Sequence, residues 1–369
     1  MGPRLFPEAR LFGLLLCLNL LAGCATLGPE AQSDPAGLQV GAGAPVFAAA
    51  ETPSVGTAIR DAADDPAIWV DPTDRARGVI VGTDKQAGLY VYDLAGRQLQ
   101  YLRGGKPNNV DLREGFPTPA GPRVLVAASD RGRRGAGAAL FLLDPLSLKL
   151  TFWAAVPVDL AEPYGLCLGR RDEAFLMIVN GTDGQVRQMR VAAGPNGKPV
   201  LTEERRFSVA TQPEGCVVDD RRGRLYLGEE GRGIWRFEIG QGSAVADLIA
   251  QAPSAMLVPD VEGLALLEDG TGAFLIASSQ GDSAFAVWRV DGATPDYQGR
   301  FSVVAYGGID AVTGTDGVAA FGGAVGGFSN GLVVVQDDVN EGSKGARQNF
   351  KLVDWREVRR ALNLPASND

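Results

Sequence analysis

The sequence has 369 residues, 45% of them hydrophobic and 21% charged, with a formal net charge of −9 and no histidine. This composition is ordinary for a globular protein, and the length suits one large all-β domain or two smaller domains. The missing imidazole excludes Ser-His-Asp hydrolases, Cys-His dyads, phosphohistidine chemistry and zinc sites with histidine ligands. The acidic balance, without a basic stripe, argues against binding to nucleic acid. Any catalysis must therefore use carboxylates, Lys, Arg, Tyr or a hard metal ion.

The first 23 residues have the pattern of an export signal. Arg4 and Arg10 precede an apolar run at residues 11–21 that ends in "LAGC". A basic start, a short apolar stretch and small residues are typical of a secretory signal peptide. "LAGC" resembles the bacterial lipobox, in which cleavage leaves Cys24 as a lipid-bearing first residue. An ordinary signal peptide with an incidental cysteine is the alternative. Ala25 after the cysteine favours an outer-membrane lipoprotein, on the periplasmic or the cell-surface side.

The chain after the signal divides into a linker and one domain. Residues 24–50 are rich in Ala, Gly and Pro and are predicted to form a flexible tether, followed by a domain at residues 51–369. Cys167 and Cys216 remain after export. A disulfide between them is possible in an oxidising compartment, and two buried free thiols are the alternative.

One sequence pattern recurs six times at intervals of about 50 residues. An apolar strand, such as "VIV" at 79–81 or "LVV" at 332–334, precedes a polar turn and an alternating strand such as "GLYVYDL" or "NFKLVDW". Alternation with period two is typical of a half-buried strand. Each unit begins with a polar motif: "DDPAIW", "NNVDLR", "EPYGLC", "QPEGCV", "DVEGLA" and "GTDGVA". Six units of at least three strands predict an all-β, six-bladed β-propeller, with a short terminal helix in "DWREVRRALN".

A propeller brings the beginnings of its first strands to one mouth of a central channel. This geometry gathers polar residues that are far apart in sequence: Asp64, Asp65, Asn108, Asn109, Glu162, Tyr164, Glu214, Asp260, Glu262 and Asp316. Close carboxylates repel and need a cation, and oxygen ligands without imidazole or thiolate favour Ca²⁺. For any single acid, the alternative is a solvated turn residue.

The motifs together resemble the β-propeller phytases, which are calcium-dependent alkaline phosphatases of phytate. The resemblance runs from Asp61 to Trp355 through "DAADDPAIWVDP", "NNVDLREGF", "EGCVVDD", "LYLGEEGRGIWRF", "DVEGLALL" and "QDDVN", in that order. It implies active-site calcium ligands at Asp64, Glu214, Glu230, Asp260, Glu262 and Asp316. It also implies further, mostly structural, calcium ligands at Asp65, Asp111, Asp310, Gln336 and Asp337, with a looser match at Glu51.

The resemblance also implies residues that contact the scissile phosphate. Lys85, Arg131 and Tyr164 match such positions, where Lys acts as a point charge and Arg can bind two phosphate oxygens at once. Solvated loop cations are the alternative for Lys85 and Arg131. Gln86 and Thr182 stand where related sequences often have lysine, which puts the strength or specificity of phytate binding in doubt.

The implied reaction is hydrolysis of a phosphate monoester of phytate or a related inositol phosphate. We hypothesise direct attack by a metal-activated water, with Glu214 and Glu230 among the catalytic groups. A covalent phosphoenzyme is not expected, because histidine and a "DxDxT" motif are absent. A calcium-dependent lactonase and a non-catalytic propeller scaffold are the alternatives, although the lysine and arginine beside the acids favour phosphate. We expect a monomer that touches the membrane only through its lipid anchor.

Overall fold

The computed structural model describes Gly2 and residues 43–58, 61–132, 137–240, 242–342 and 347–365. Apart from Gly2, the predicted signal peptide, Cys24 and the tether up to residue 42 lie outside the described residues. Within the described ranges there are 24 strands, one 3₁₀ turn and one α-helix. None of the described helical segments has the length and apolarity needed to cross a membrane. The predicted all-β class is confirmed.

The strands form four four-stranded sheets and one eight-stranded sheet. The first strand is β1 (Ala44–Glu51). Sheet 1 contains β2 (Ala63–Val70), β3 (Gly78–Asp84), β4 (Gly88–Asp93) and β5 (Gln98–Arg103). Sheet 2 contains β6 (Pro107–Phe116), β7 (Arg123–Asp130), β8 (Ala138–Leu143) and β9 (Leu150–Val156). Sheet 3 contains β10 (Pro163–Arg171), β11 (Ala174–Gly181), β12 (Gln185–Ala193) and β13 (Pro199–Ser208).

The remaining strands continue the same pattern. Sheet 4 contains β14 (Pro213–Asp219), β15 (Arg224–Glu229), β16 (Gly233–Glu238) and β17 (Asp247–Gln251). Half 5a of the eight-stranded sheet contains β18 (Leu264–Asp269), β19 (Gly272–Ser279), β20 (Ala284–Arg289) and β21 (Asp296–Val304). Half 5b contains β22 (Val318–Gly322), β23 (Gly331–Asp337), β24 (Asn349–Asp354) and β1, and the helix α1 (Trp355–Ala361) follows β24. The predicted terminal helix is therefore present.

Strand β1 joins the two halves of the eight-stranded sheet. It pairs in parallel with β21, with Ala44 opposite Phe301, and antiparallel with β24, with Glu51 opposite Lys351. The prediction that the tether extends to residue 50 is therefore wrong for residues 44–50. The Ala-rich segment "APVFAAAE" forms a strand because Val46 contributes to the apolar cluster between halves 5a and 5b.

The sheets close into a circle through apolar clusters between neighbours. Within the described residues, six such clusters lie between sheets 1 and 2, 2 and 3, 3 and 4, 4 and 5a, 5a and 5b, and 5b and 1. In β3, Val79 and Val81 face sheet 2 whereas Ile80 faces half 5b, so the strand is apolar on both sides. The first strands β2, β6, β10, β14, β18 and β22 contact one another in cyclic order. The predicted propeller-like arrangement is confirmed.

Two sets of residues meet at one end of the central channel, which we call the mouth. First and second strands are antiparallel, so the start of each first strand and the end of each second strand lie together. The first set comprises the residues at or just before the first strands, such as Asp64 and Glu214. The second set comprises the residues that directly follow the second strands: Lys85, Arg131, Thr182, Glu230, Gln280 and Asp338.

Candidate active site

Lys85 lies among buried acids at the mouth. Its Nζ atom is 2.7 Å from Asp61 Oδ1, 2.8 Å from Asp64 Oδ2 and 3.5 Å from Asp316 Oδ2, and its side chain is 7% exposed. Burial alone would lower the pKa of Lys85, but the charges of Asp64, Asp316 and Glu214 outweigh burial and raise that pKa. Lys85 therefore stays protonated and holds the acids of sheet 1 and half 5b together.

The acids of the mouth lie near one another, and their negative charges are only partly compensated by positive side chains. Burial, then the charge of Asp316, raises the pKa of Glu262 well above its usual range; burial, then Asp64, does so for Glu214. Burial raises the pKa of Asp64 to about 7 and that of Asp260 above its ordinary value. Raised carboxyl pKa values mean that the charged forms are destabilised where they stand.

Primary amides from three different units contact these carboxylates. Asn108 Nδ2 donates to Glu214 Oε1 at 2.6 Å, Gln212 Nε2 to Glu230 Oε1 at 2.6 Å, and Gln280 Nε2 to Glu262 Oε2 at 2.8 Å and Asp316 Oδ1 at 2.6 Å. A neutral amide donor relieves part of the repulsion without adding a charge. Gln280 connects half 5a to half 5b in this way, and its backbone N–H donates to the carbonyl of Asp260.

Oxygen atoms remain free for a cation at the mouth. Asp64 Oδ1 and Asn108 Oδ1 are buried and accept no hydrogen bond from the described residues. Unpaired buried carboxylate and amide oxygens, beside further carboxylates, are the donor set that Ca²⁺ prefers. However, no set of three or more Cys, Asp or Glu side chains in the described residues is already arranged to hold a metal ion. These carboxylate and amide oxygens are of the type that binds a hard cation. The Lys85 ammonium group, however, already pairs with Asp64 and Asp316.

Four glycines set the spacing of the mouth in the described chain: Gly165, Gly215, Gly263 and Gly317. Each follows a site residue, in "YG", "EG", "EG" and "DG", and sits against the backbone of the next unit. A Cβ atom would lie 1.9 Å from Glu214 O at Gly165 and 1.7 Å from Glu262 O at Gly215. These glycines lie at the starts of the first strands and permit the close approach of neighbouring backbones.

Arg131 and Tyr164 form the side of the mouth opposite the acids of half 5a. The Arg131 guanidinium carbon is 5.3 Å from the centroid of the Tyr164 ring, within cation–π range. The negative charge of Glu214, followed by burial, raises the pKa of Tyr164, so its hydroxyl stays protonated and can donate a hydrogen bond. Cations thus follow the second strands of sheets 1 and 2, whereas Glu230 follows that of sheet 4.

Asp65 and Asp111 lie along the channel and bridge neighbouring first strands. Asp65 Oδ2 accepts from Val110 N at 2.9 Å, and Asp111 Oδ2 accepts from Leu168 N at 2.8 Å. Both acids line a cavity to which all the first strands contribute residues: β2, β6, β10, β14, β18 and β22. Burial raises the pKa of each carboxyl group. These two acids thus connect neighbouring first strands, whereas the Lys85 ammonium pairs with Asp61, Asp64 and Asp316.

Asp310 and Asp337 belong to a second cluster, around Lys351. The buried Lys351 Nζ is 2.5 Å from Glu51 Oε2 and 3.3 Å from Asp337 Oδ2, and it also pairs with Asp310. Burial raises the pKa of Asp337 to about 7 even so. Gln336 does not join this cluster: its Oε1 accepts from Asp316 N at 2.8 Å, which places it behind the mouth.

Sequence comparisons relate this chain to known proteins. A family model described as Phytase matches residues 19–367. The chain belongs to the phytase family. The 3-phytase of Bacillus subtilis (strain 168) is 34% identical over 313 residues, covering 82% of this chain and 81% of that protein. The resemblance derived from the motifs is confirmed, and so is the prediction of a phytase-family enzyme.

A solved structure with low sequence identity shares the fold of this phytase-family chain. The α-L-arabinofuranosidase Arb93A from Fusarium graminearum, in complex with an iminosugar inhibitor, superposes with a TM-score of 0.52 at 10% identity. The match covers 85% of this chain and 99% of that one. At this identity the likeness concerns the fold alone.

Three residues at the mouth of this phytase-family chain were not predicted from the sequence: Gln212, Gln280 and Asp61. Gln280 had a usable signal, because it directly follows a second strand, as Lys85 and Arg131 do. Gln212 had no such signal, since it precedes its first strand by one residue and its role depends on contact with Glu230.

The raised pKa values predict how the stability of the metal-free protein depends on pH. Burial raises the pKa of Asp64 and of Glu230 to about 7, so the folded chain keeps protons that the unfolded chain releases near pH 4. Stability should therefore fall as pH rises from 5 to 7.5, by at most about 1.4 kcal/mol per pH unit for each carboxyl. Thermal unfolding in the presence of a chelator at several pH values measures this slope.

A double variant provides the control for that measurement. Asp64→Asn combined with Glu230→Gln removes two of the titrating groups and should make the decline less steep. A melting temperature that stays constant or rises over this range in the unsubstituted protein would contradict the expected sign.

Proposed function

We propose that this protein is a calcium-dependent phytase, built on a six-bladed propeller, that hydrolyses phosphate monoesters of phytate. The observation that carries the proposal is the mouth itself, where six acids from four of the units lie around Lys85. Phytate hydrolysis is what the name of the Bacillus subtilis relative states for that protein. The same activity is proposed for this chain because the acids and the cations stand at positions that match the family pattern.

Six blades account for the sheet topology. The first strands contact one another in a cycle of six, and each neighbouring pair of units shares an apolar cluster. The eight-stranded sheet then consists of two blades, joined because β1 pairs with both β21 and β24. β1 thus serves as the outermost strand of the last blade, which closes the circle.

Calcium is the proposed cofactor, held at the mouth by Asp64, Glu214, Glu230, Asp260, Glu262 and Asp316. The free oxygens Asp64 Oδ1 and Asn108 Oδ1 and the raised carboxyl pKa values support a multivalent cation there. Bound calcium would supply Lewis-acid activation of the attacking water and would offset the negative field that otherwise repels phytate.

We also propose structural calcium at the two groups of acids away from the mouth. Burial raises the pKa of Asp65, Asp111 and Asp337, so a bound cation would stabilise their charged forms. The group of Asp310 and Asp337 already contains the Lys351 ammonium, which supplies part of that charge.

Side chains of the protein itself would bind the phosphate at the mouth. Lys85 and Arg131, on blades 1 and 2, would bind the oxygens of the phosphate to be cleaved and stabilise charge that develops during transfer. The protonated Tyr164 hydroxyl can donate to the same phosphate, next to Glu214. Gln86 is exposed and neutral, and Thr182 is neutral too, so a neighbouring phosphate would meet no cation there.

Phosphate release from phytate, with calcium and then with a chelator, tests the proposal. We expect release with calcium, loss of release with the chelator, and a slower reaction with a simple phosphomonoester. At free calcium 100 times a site's dissociation constant, each site should also add about 2.7 kcal/mol of stability, visible as a higher melting temperature.

The same assay separates the alternatives. Hydrolysis of a lactone without phosphate release would indicate a lactonase, and inactivity on both would indicate a scaffold. Phosphate release that persists unchanged under the chelator would contradict the role of calcium.

A further inference from the structure

Cys167 and Cys216 form a disulfide between neighbouring blades. Cys167 in β10 is bonded to Cys216 in β14, with 5.6 Å between the Cα atoms and 49 residues between the cysteines in sequence. We infer that this disulfide is a positioning element of the mouth, which holds Tyr164 and Glu214 at a fixed separation. The inference rests on the proposed function, because it assigns the disulfide a part in calcium binding and turnover.

The disulfide lies close to both site residues along the two strands. Tyr164 precedes Cys167 by three residues in β10, and Glu214 precedes Cys216 by two residues in β14. The two strands belong to different sheets, so no backbone ladder fixes one against the other. A covalent link this close limits how far the two side chains can move apart.

Among the described residues, no backbone–backbone hydrogen bond joins β10 to β14, whereas two other pairs of neighbouring units have one at the equivalent position. Gly263 N donates to Asp316 O at 3.1 Å, and Gly317 N donates to Asp64 O at 3.2 Å, each across to the next blade. Gly165 N, at the equivalent position of β10, donates instead to Asn180 Oδ1 at 2.9 Å.

The side chain of Asn180 connects β10 to β14 through hydrogen bonds to both strands. Its Nδ2 donates to Glu214 O at 2.8 Å, so the path from β10 to β14 runs through one amide side chain. The buried disulfide therefore adds a covalent constraint where the backbone contact is indirect. Farther along the strands, Gly169 packs against Val218, where an added Cβ would lie 2.6 Å from a methyl carbon.

Loss of the disulfide should change the geometry of the mouth, and not only lower the stability of the fold. Without it, the carbonyl and side chain of Glu214 can shift relative to Tyr164 and to Asn108, which donates to Glu214 Oε1. A ligand oxygen displaced from its place weakens calcium binding and lowers turnover, because both depend on preformed geometry.

Calcium titration calorimetry and phytate kinetics on Cys167→Ala/Cys216→Ala test the inference. We expect calcium affinity to fall about tenfold and kcat to fall, with a smaller change in KM. Val218→Ala is the matched control, since it weakens the same joint away from the mouth. It should lower the melting temperature but leave calcium affinity and kcat unchanged.

The reduced unsubstituted protein provides a second form for the same measurements, should the double variant not fold. Dithiothreitol gives two electrons and two protons to the disulfide and is itself oxidised to a cyclic disulfide, so thiol titration should count two more free thiols after reduction than before it. Reduced protein should show the same loss of calcium affinity.

The outcomes distinguish this inference from the proposed function. Unchanged calcium affinity and kcat in the double variant or the reduced protein, with only a lower melting temperature, would overturn the inference alone. Calcium-independent release of phosphate by the unsubstituted protein would overturn the proposed function, and the inference with it.

Discussion

Replacement of Glu214 by Gln is expected to lower calcium-dependent phosphate release from phytate by at least about 100-fold. Glu214 is buried beside Asp64, Lys85 and Tyr164, and its carboxylate accepts from Asn108. Gln keeps the size of the side chain and an oxygen that can accept from Asn108, so the substitution removes mainly the charge. Initial rates at saturating calcium measure the effect.

Glu238→Gln is the matched control for that substitution. Glu238 ends β16, is exposed and lies at the end of its sheet that faces away from the mouth. Its replacement should leave the rate within about twofold, since a surface ion pair contributes little. Near-normal activity of the Glu214 variant at saturating calcium would remove Glu214 from the site.

Replacement of Gly215 by Ala is expected to destabilise the folded protein by about 4 kcal/mol and to weaken calcium binding. The added Cβ would lie 1.7 Å from the carbonyl oxygen of Glu262, a backbone atom that cannot rotate away. The first strands of sheet 4 and half 5a must then separate, which moves Glu262 relative to Glu214. Denaturant unfolding measures the stability, and calcium titration measures the binding.

Gly270→Ala is the control for the glycine substitution. Gly270 lies in the turn after β18, and an added Cβ there meets no atom within 4 Å. We expect a change in stability below about 1 kcal/mol for this variant. If Gly215→Ala were as stable as Gly270→Ala, the predicted clash with the Glu262 carbonyl would be wrong.

The strands and the acids at the mouth could be predicted because each depends on local pattern. Strand β3 is apolar on both faces, through Val79, Ile80 and Val81, because its sheet packs between two neighbouring sheets. Similar apolar runs recur in every unit. The acids at the starts of the first strands recur with the same spacing, so the repeat itself places them together.

Strand β1 could not be predicted, because its neighbours come from distant parts of the chain. Its composition resembles a linker, and only pairing with β21 and β24 turns "APVFAAAE" into a strand. Propensity is a weak guide when tertiary pairing decides.

Gln336 and Asp337 show a different limit of sequence reasoning. The two residues are adjacent, and the resemblance assigned both to calcium binding. Successive side chains of a strand point to opposite faces, and in β23 this sends Gln336 toward Asp316 and Asp337 toward Lys351. Adjacent positions in a motif can therefore serve different sites.

The direction of β1 determines where anything joined ahead of it would attach. The register with β24 places Glu51 next to Lys351 at the mouth end, whereas Ala44 lies at the far end of the sheet beside Phe301. A carrier bead, fusion partner or lipid linked upstream of Ala44 would therefore meet the base of the propeller. Immobilisation through that end would place the support at the end of the sheets opposite the mouth.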